Sequence, residues 1–163
     1  MTYAEDLLKL AQELAGQDAD NQRQACYRRA VSTAYYALFH LLITEATLNW
    51  ANVEMRLELG RVFEHGKMRA ASSRQKSAIL EAHKNVLPTD VTRSLLFVAE
   101  TFITLQQRRH EADYDLGKIW SRTEVQTLLD EVSKAFAKWN QIRHEPAAQA
   151  YLVSLLGTRA RTE

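Results

Sequence analysis

The chain has 163 residues, enough for one domain with a buried core, and its 25% charged and 46% apolar residues are typical of a globular protein rather than a disordered one. The formal charge of +1 excludes a strong overall attraction to nucleic acid or to an anionic membrane. The single cysteine, Cys26, excludes an internal disulfide framework and a multi-cysteine metal site.

The N-terminus and the longest apolar run indicate a cytoplasmic protein. Acidic residues stand where an export signal would carry basic ones. The run "AYYALFHLLI", residues 34–43, is about half as long as a membrane helix must be. We therefore expect no membrane association.

Two helices are predicted at the start of the chain. Thr2 and Glu5 have the spacing of a capping box, and the apolar stripe behind them stops at Gly16. A longer second helix is predicted over roughly 21–48, where apolar residues recur at steps of three and four. Three residues could cap its N-terminus: Asp18, Asp20 and Asn21.

The segment from Trp50 to Lys84 has a weaker pattern, in which helical and alternating spacings mix. It predicts a short helix, a break near Gly66 and a polar helix over roughly 69–84. The part from Lys67 onward carries five basic residues and one acid, a composition that we interpret as a solvated helix face.

The next helix begins after Pro88 and carries an arginine within its apolar stripe. The stripe recurs at steps of four and three: Val91, Leu95, Val98, Phe102 and Leu105. A further step of four reaches Arg109. Because an unpaired buried charge is costly, Arg109 should face a neighbouring helix, a subunit interface or a bound anion.

Two more helices complete the predicted fold, which is all-α. Gly117 ends the preceding helix, and Ser121 with Glu124 forms a second capping-box pattern ahead of a helix to about residue 143. Pro146 suits the first turn of a last short helix that Gly157 closes. We expect one helical domain over residues 1–157 and a frayed tail over 158–163.

Several chemistries are excluded by spacing. No histidine stands three residues after a glutamate, which excludes the Glu-x-x-His pair of di-iron bundles, and no His-Glu-x-x-His helix occurs. Glycine-rich phosphate loops and the Gly-x-Ser-x-Gly elbow are also absent. We expect neither a metal nor a cofactor.

Two clusters of polar residues are candidates for a binding site. Arg29, Tyr36 and His40 lie at intervals of seven and four, so they share one face of the second helix. Such a face could bind a nucleotide base and a phosphate, although Tyr36 and His40 could equally be packed residues with satisfied polar tips.

The second cluster lies in "RRHEADYD", residues 108–115, and comprises Arg108, Arg109, His110, Asp113 and Tyr114. Cations are favoured at a helix C-terminus by about 0.3–1 kcal/mol each, which is one structural reason for the pattern. The mixture of guanidinium, imidazole, carboxylate and phenol also suits a site that handles a phosphodiester.

The segments "RRAVSTAYYALFHLL", residues 28–42, and "RRHEADYD", in this order, resemble the HEPN superfamily, and "RVFEHGKM", residues 61–68, looks like its intermediate segment. The resemblance implies an up-and-down bundle of four or five helices that pairs into a homodimer. The arginine-bearing helix ends of two subunits would then share one cleft. Active relatives are metal-independent ribonucleases, often toxins paired with a nucleotidyltransferase antitoxin.

The chain departs from the motif of the active relatives, in which a histidine follows an arginine after four to six residues. Here Arg109 is followed by Asp113 and Tyr114, and His110 adjoins the arginine. We expect RNA or nucleotide binding rather than catalysis, with no role for DNA. Arg109 and Arg108 would hold phosphate, and Asp113 and Tyr114 would shape the cleft.

Two other functions stay open at this stage. If RNA is cleaved, His110 or His40 would serve as general acid or base beside the catalytic Arg109. Alternatively, the protein is a non-catalytic module that dimerises or docks onto a nucleotidyltransferase-type partner, and an exposed apolar patch would be its signature. The resemblance also makes Tyr114 a possible target of nucleotide transfer.

Overall fold

The computed structural model describes residues 1–17 and 23–157, and this part of the chain contains helices and no strand. The all-α prediction is confirmed. Seven α-helices and one 3₁₀ turn lie in the described residues: α1 Tyr3–Gly16, α2 Gln24–Leu48, the 3₁₀ turn Val53–Met55, α3 Arg56–Gly60, α4 His65–Ala82, α5 Asp90–Tyr114, α6 Arg122–Ile142 and α7 Pro146–Ser154. Among the helices of this described part, none is both long enough and apolar enough to cross a membrane.

The predicted capping box of α1 is confirmed. The Thr2 backbone N–H donates to Glu5 Oε2 at 2.7 Å, and the Glu5 N–H donates to Thr2 Oγ1 at 3.2 Å. Other terminal predictions fall outside the described residues: the N-caps Asp18, Asp20 and Asn21, and the tail 158–163.

The predicted break between the two helices is present, but it lies at residues 61–64, just before Gly66. Helix α4 begins at His65 and runs through Gly66, whereas the chain turns over residues 61–64. A glycine costs about 1 kcal/mol inside a helix, but in the first turn it replaces a residue whose N–H has no intrahelical partner. The sequence pattern therefore placed the helix start four residues too late.

Two compact units make up the chain. The first comprises Met1–Leu41 with Thr101–Ala137, and the second comprises Leu42–Glu100 with Lys138–Glu163. Each unit buries its own large side chains. The first buries Tyr27, Tyr35, Phe102 and Trp120, and the second buries Met68, Leu95, Trp139 and Tyr151.

The predicted stripe of α5 is buried in the structure, from Leu95 through Leu105, and Ala112 extends it by two further steps. Arg109 lies between Leu105 and Ala112 in this stripe. The helix thus directs the Arg109 side chain toward the interior of the first unit, because the three-and-four periodicity continues from Leu105 to Ala112.

Candidate functional site

The C-terminal end of α5 is held by an arginine from α2. Arg28 donates through Nη1 to the carbonyl of Ala112 at 2.9 Å, and through Nη2 to the carbonyls of Asp115 at 2.9 Å and Lys118 at 2.6 Å. The last carbonyls of a helix lack intrahelical partners, and a cation there also stabilises the helix dipole. Arg28 therefore fixes the position at which the "RRHEADYD" segment ends.

Arg109 faces a neighbouring helix, the first of the three surroundings expected for it. Its side chain is 17% exposed, and its Nε donates to Asp113 Oδ2 at 3.1 Å. The guanidinium carbon lies 5.5 Å from the ring centroid of Tyr35 and 5.6 Å from that of Tyr36, which is cation–π distance.

The electrostatics of this contact keep Arg109 charged. Burial on its own would lower the pKa of Arg109, but hydrogen bonding with Tyr114 and Asp113 outweighs burial and raises that pKa. Burial also raises the pKa of the Tyr35 phenol, against the opposing charge of Arg109. The cation is thus paired with a carboxylate and covered by two neutral rings.

A groove lies along the other side of the same helix end. It has a volume of about 560 Å³. We call it the α5 groove, and seven residues line it: Gln107, Arg108, His110, Glu111, Tyr114, Asp115 and Lys118. Arg109 and Asp113 do not line this groove. Each points about 100° away from the residues next to it in the helix, toward the other side of α5.

Carboxylates hold the cations of the α5 groove. Arg108 donates to Glu111 Oε2 at 2.9 Å, and Lys118 Nζ donates to Glu124 Oε1 at 2.7 Å. Burial would raise the pKa of Glu111, but hydrogen bonds from Gln107 and Arg108 and the nearby positive charge lower it instead. Both cations are therefore fixed in place by their acidic neighbours.

Glu124 explains why the second capping box forms in part. Its backbone N–H makes the predicted capping contact, donating to Ser121 Oγ at 3.2 Å. Its carboxylate, which a capping box would direct back to the Ser121 N–H, pairs with Lys118 instead. The N-terminus of α6 thereby supplies an anion that positions a groove cation.

His110 and Tyr114 form an aromatic pair in the α5 groove. Their ring centroids are 5.0 Å apart with an interplanar angle of 49°. His110 is exposed, and Tyr114 is 64% exposed. The pair therefore presents aromatic surface to solvent beside Arg108.

The structure divides the first predicted cluster. Tyr36 meets Arg109 of the second cluster, and His40 packs against Tyr3, with ring centroids 5.0 Å apart. Burial lowers the pKa of His40. Arg29 is exposed to solvent on the same helix. Tyr36 and His40 thus have the packing contacts of the structural alternative, and the ligand-binding roles of all three residues stay predictions.

Sequence reasoning missed Arg28, Lys118 and Glu124, which hold or line the site from other parts of the chain. The spacing of Arg108 and Glu111 was a usable local signal, because residues three apart on a helix are neighbours. In the described part of the chain, no group of three or more histidine, cysteine or acidic residues could hold a metal ion.

Comparison with protein-family models, with curated proteins and with solved structures finds no match to this chain. The resemblance to HEPN proteins rests on the quoted segments alone. The functional argument must therefore come from the geometry of the site.

Proposed function

We propose that this chain is a HEPN-like helical protein that binds a nucleotide unit, free or at the end of an RNA, in the α5 groove. The observation that carries the proposal is the exposed aromatic pair His110 and Tyr114 beside Arg108 in one groove. The groove's volume of about 560 Å³ lies within the range of about 300–1,000 Å³ that is usual for small-ligand pockets.

The groove offers a partner for each part of a nucleotide. The base stacks on Tyr114, since stacking on an aromatic side chain suits every base. Arg108 and Lys118 receive the phosphate. Glu111 and Asp115 accept hydrogen bonds from ribose hydroxyls or from the amino group of the base.

The charge of the groove supports a single nucleotide unit over a long RNA strand. Two cations, Arg108 and Lys118, face three acids: Glu111 and Asp115 line the groove, and Glu124 holds Lys118. A groove without excess positive charge does not attract a polyanion from a distance, whereas extended RNA binding depends on many phosphate contacts.

Phosphate can replace Glu111 as the partner of Arg108 at small cost. The Arg108 side chain is 36% exposed, and partly exposed ion pairs contribute about 0–1 kcal/mol. The phosphate contact is a charge-assisted hydrogen bond of the same kind, so the exchange at Arg108 is close to neutral. Stacking of the base then supplies the favourable free energy of binding.

A binding role is better supported than ribonuclease activity. Arg109, the arginine expected to stabilise a transition state, is already engaged by Asp113, Tyr35 and Tyr36. His110 lines the α5 groove, but Arg109 does not, so the two side chains do not act on one phosphate there. The inter-subunit cleft and the toxin-type role implied by the resemblance are separate predictions, since one chain suffices for this site.

The test is fluorescence anisotropy with an N-methylanthraniloyl-labelled nucleoside diphosphate and, separately, with a labelled RNA pentamer. Tyr114→Ala should weaken nucleotide binding about 5- to 150-fold, because stacking contributes about 1–3 kcal/mol per base. Arg108→Ala should weaken it about tenfold or more. Arg93→Ala is the matched control, because Arg93 also pairs with an acid three residues away, Asp90, but does not line the groove.

Salt distinguishes the two sources of the nucleotide unit. Nucleotide binding through one or two phosphates should fall gently with salt, and binding along an RNA strand should fall steeply.

Absence of binding to either probe at low salt, or equal affinities of wild type and Tyr114→Ala, would refute the proposal. RNA cleavage that is lost in His110→Ala would refute its non-catalytic part.

A further inference from the structure

Glu124 contacts both cations of the α5 groove from the start of the next helix. Its Oε1 lies 2.7 Å from Lys118 Nζ and 4.0 Å from Arg108 Nη1, so one carboxylate oxygen is shared by the two groove cations. Glu124 is not a lining residue of the groove, and it reaches these cations from the first turn of α6. An acidic side chain thus pairs with the same two groups that a ligand phosphate would need.

Glu124 differs in this respect from the acid beside it. Among the ion pairs of the described residues, Glu124 pairs with both groove cations, whereas Glu111 pairs with Arg108. The side chains of Glu124 and Lys118 are 27% and 28% exposed, so water screens their attraction less than at an open surface. The Glu124 carboxylate is therefore an effective competitor for any anion that enters the groove.

Glu124 also has a second place for its carboxylate. In a complete capping box, the acid at the third helical position returns to the backbone N–H of the cap residue, which here is Ser121. Half of that box is already formed, because the Glu124 N–H donates to Ser121 Oγ at 3.2 Å. The helix dipole favours a negative charge at this end as well. A phosphate can therefore displace Glu124 from Lys118 without leaving the carboxylate unpaired.

We propose that Glu124 competes with the ligand phosphate for Arg108 and Lys118, and that this competition restricts the α5 groove to ligands with a terminal phosphate. This role rests on the proposed nucleotide-binding function. A phosphate within an RNA strand carries one negative charge, the same as the carboxylate that it would displace, so the exchange adds no attraction. A terminal phosphate carries about 1.5–2 negative charges at pH 7 and does add attraction. The ligand is then a free nucleotide or a phosphorylated end of an RNA.

The test compares three ligands that differ only in the charge at the 5′ position: adenosine, adenosine 5′-monophosphate (AMP) and the methyl ester of AMP. At pH 7.5 AMP carries about one negative charge more than its methyl ester. Each ligand competes with the N-methylanthraniloyl-labelled nucleotide in fluorescence anisotropy. Wild type should bind AMP at least about fivefold more tightly than the ester, because one more charge faces the two cations.

RNA pentamers with and without a 5′-phosphate distinguish the two sources of the terminal phosphate. Competition by AMP alone identifies a free nucleotide as the ligand. Competition by the phosphorylated pentamer, at least as strong as that by AMP, identifies an RNA end. A pentamer without a terminal phosphate that competes as well as the phosphorylated one would overturn the proposal.

Glu124→Gln removes the competing charge and keeps the start of α6, because glutamine also suits a capping box. It should tighten the binding of AMP and of the ester about three- to tenfold and leave adenosine unchanged. Glu131→Gln is the matched control, since it makes the same charge change seven residues, about 10 Å, farther along α6. It should leave all three affinities unchanged.

The circular dichroism of Glu124→Gln should match that of wild type. If it does not, Glu124→Asp is the second variant, because aspartate suits the first turn of a helix and its shorter side chain withdraws the carboxylate from Lys118. It should also tighten the binding of AMP and leave adenosine unchanged.

The results separate this role of Glu124 from nucleotide binding itself. Equal or weaker binding of AMP by Glu124→Gln, a gain that adenosine shares, or equal wild-type affinities for AMP and its ester would overturn the role of Glu124 and leave the proposed function standing. If neither wild type nor Glu124→Gln binds any of the ligands, both proposals fail.

Discussion

Replacing Arg109 with methionine removes a charge that the first unit has enclosed, and the cost can be worked out from its contacts. Methionine keeps an unbranched apolar stem but loses the hydrogen bonds with Tyr114 and Asp113 and the cation over Tyr35 and Tyr36. Asp113 then keeps one long contact, from Ser32 Oγ at 3.4 Å. An acid at the edge of the core is left without its counter-ion.

The magnitude follows from the exposure of the pair. The side chains of Arg109 and Asp113 are 17% and 24% exposed, so the pair lies between surface pairs, worth about 0–1 kcal/mol, and buried pairs, whose disruption costs about 3–5 kcal/mol. Adding about 0.5–1 kcal/mol for the cation–π contact, we expect Arg109→Met to lower the free energy of unfolding by about 2–3 kcal/mol. The melting temperature should fall by about 5–10 °C.

The assay is a double-mutant cycle in urea, followed by circular dichroism. Asp113→Asn is isosteric and removes the carboxylate charge, and the double variant Arg109→Met/Asp113→Asn should be less destabilised than the sum of the single variants. We expect a coupling energy of about 1–2 kcal/mol. A single-variant cost below about 0.5 kcal/mol, or no coupling, would refute the interpretation of Arg109 as an enclosed, paired cation.

Three further predictions concern packing within the two units. The Tyr151 hydroxyl lies 2.8 Å from Ser72 Oγ, so Tyr151→Phe should cost about 1 kcal/mol in urea unfolding, and Ser72→Ala should cost more because it leaves a buried phenol unpaired; the reverse order would contradict this. Gly157→Ala should lower stability by about 1 kcal/mol or more, since Gly157 has φ of 76°, whereas Gly16→Ala, with nothing within 4 Å of the added Cβ, should be neutral or stabilising. Burial lowers the pKa of His40 below 6.5, so the unfolded chain binds more protons than the folded one, and stability should fall as pH drops from 6.5 toward the folded pKa. His40→Gln should reduce that loss in unfolding measured at pH 7.5 and 5.5, and an unchanged pH dependence would contradict it.

Local pattern was sufficient for most helices. Pro88 and Thr89 marked the start of α5, and the Thr92 N–H donates to Thr89 Oγ1 at 3.2 Å as a cap should. The stripe then predicted the inward position of Arg109 without any tertiary information. The start of α4 was not predictable from Gly66, because a glycine in the first turn and a glycine at a break look the same in sequence.

The tertiary contacts of the site could not be predicted from spacing. Arg28 reaches the carbonyls of Ala112 and Lys118 from a helix more than 80 residues earlier, and nothing in the local sequence encodes that choice. The exposure of the apolar side chains between Trp50 and Val62 was also missed. These residues give a weak mixture of helical and alternating spacings, which is what apolar side chains produce when they cover no core.

The segment "RRHEADYD" contains three local pairs that lie on two sides of α5. Arg109 with Asp113 faces inward, whereas Arg108 with Glu111 and His110 with Tyr114 line the α5 groove. Because adjacent residues on a helix point about 100° apart, this dense run of functional side chains divides between two sides of α5, and the hydrogen bond between Tyr114 and Arg109 links the two sides. The inner pair should therefore govern stability and the outer pairs ligand affinity. Variants of the two groups should separate these two measurements.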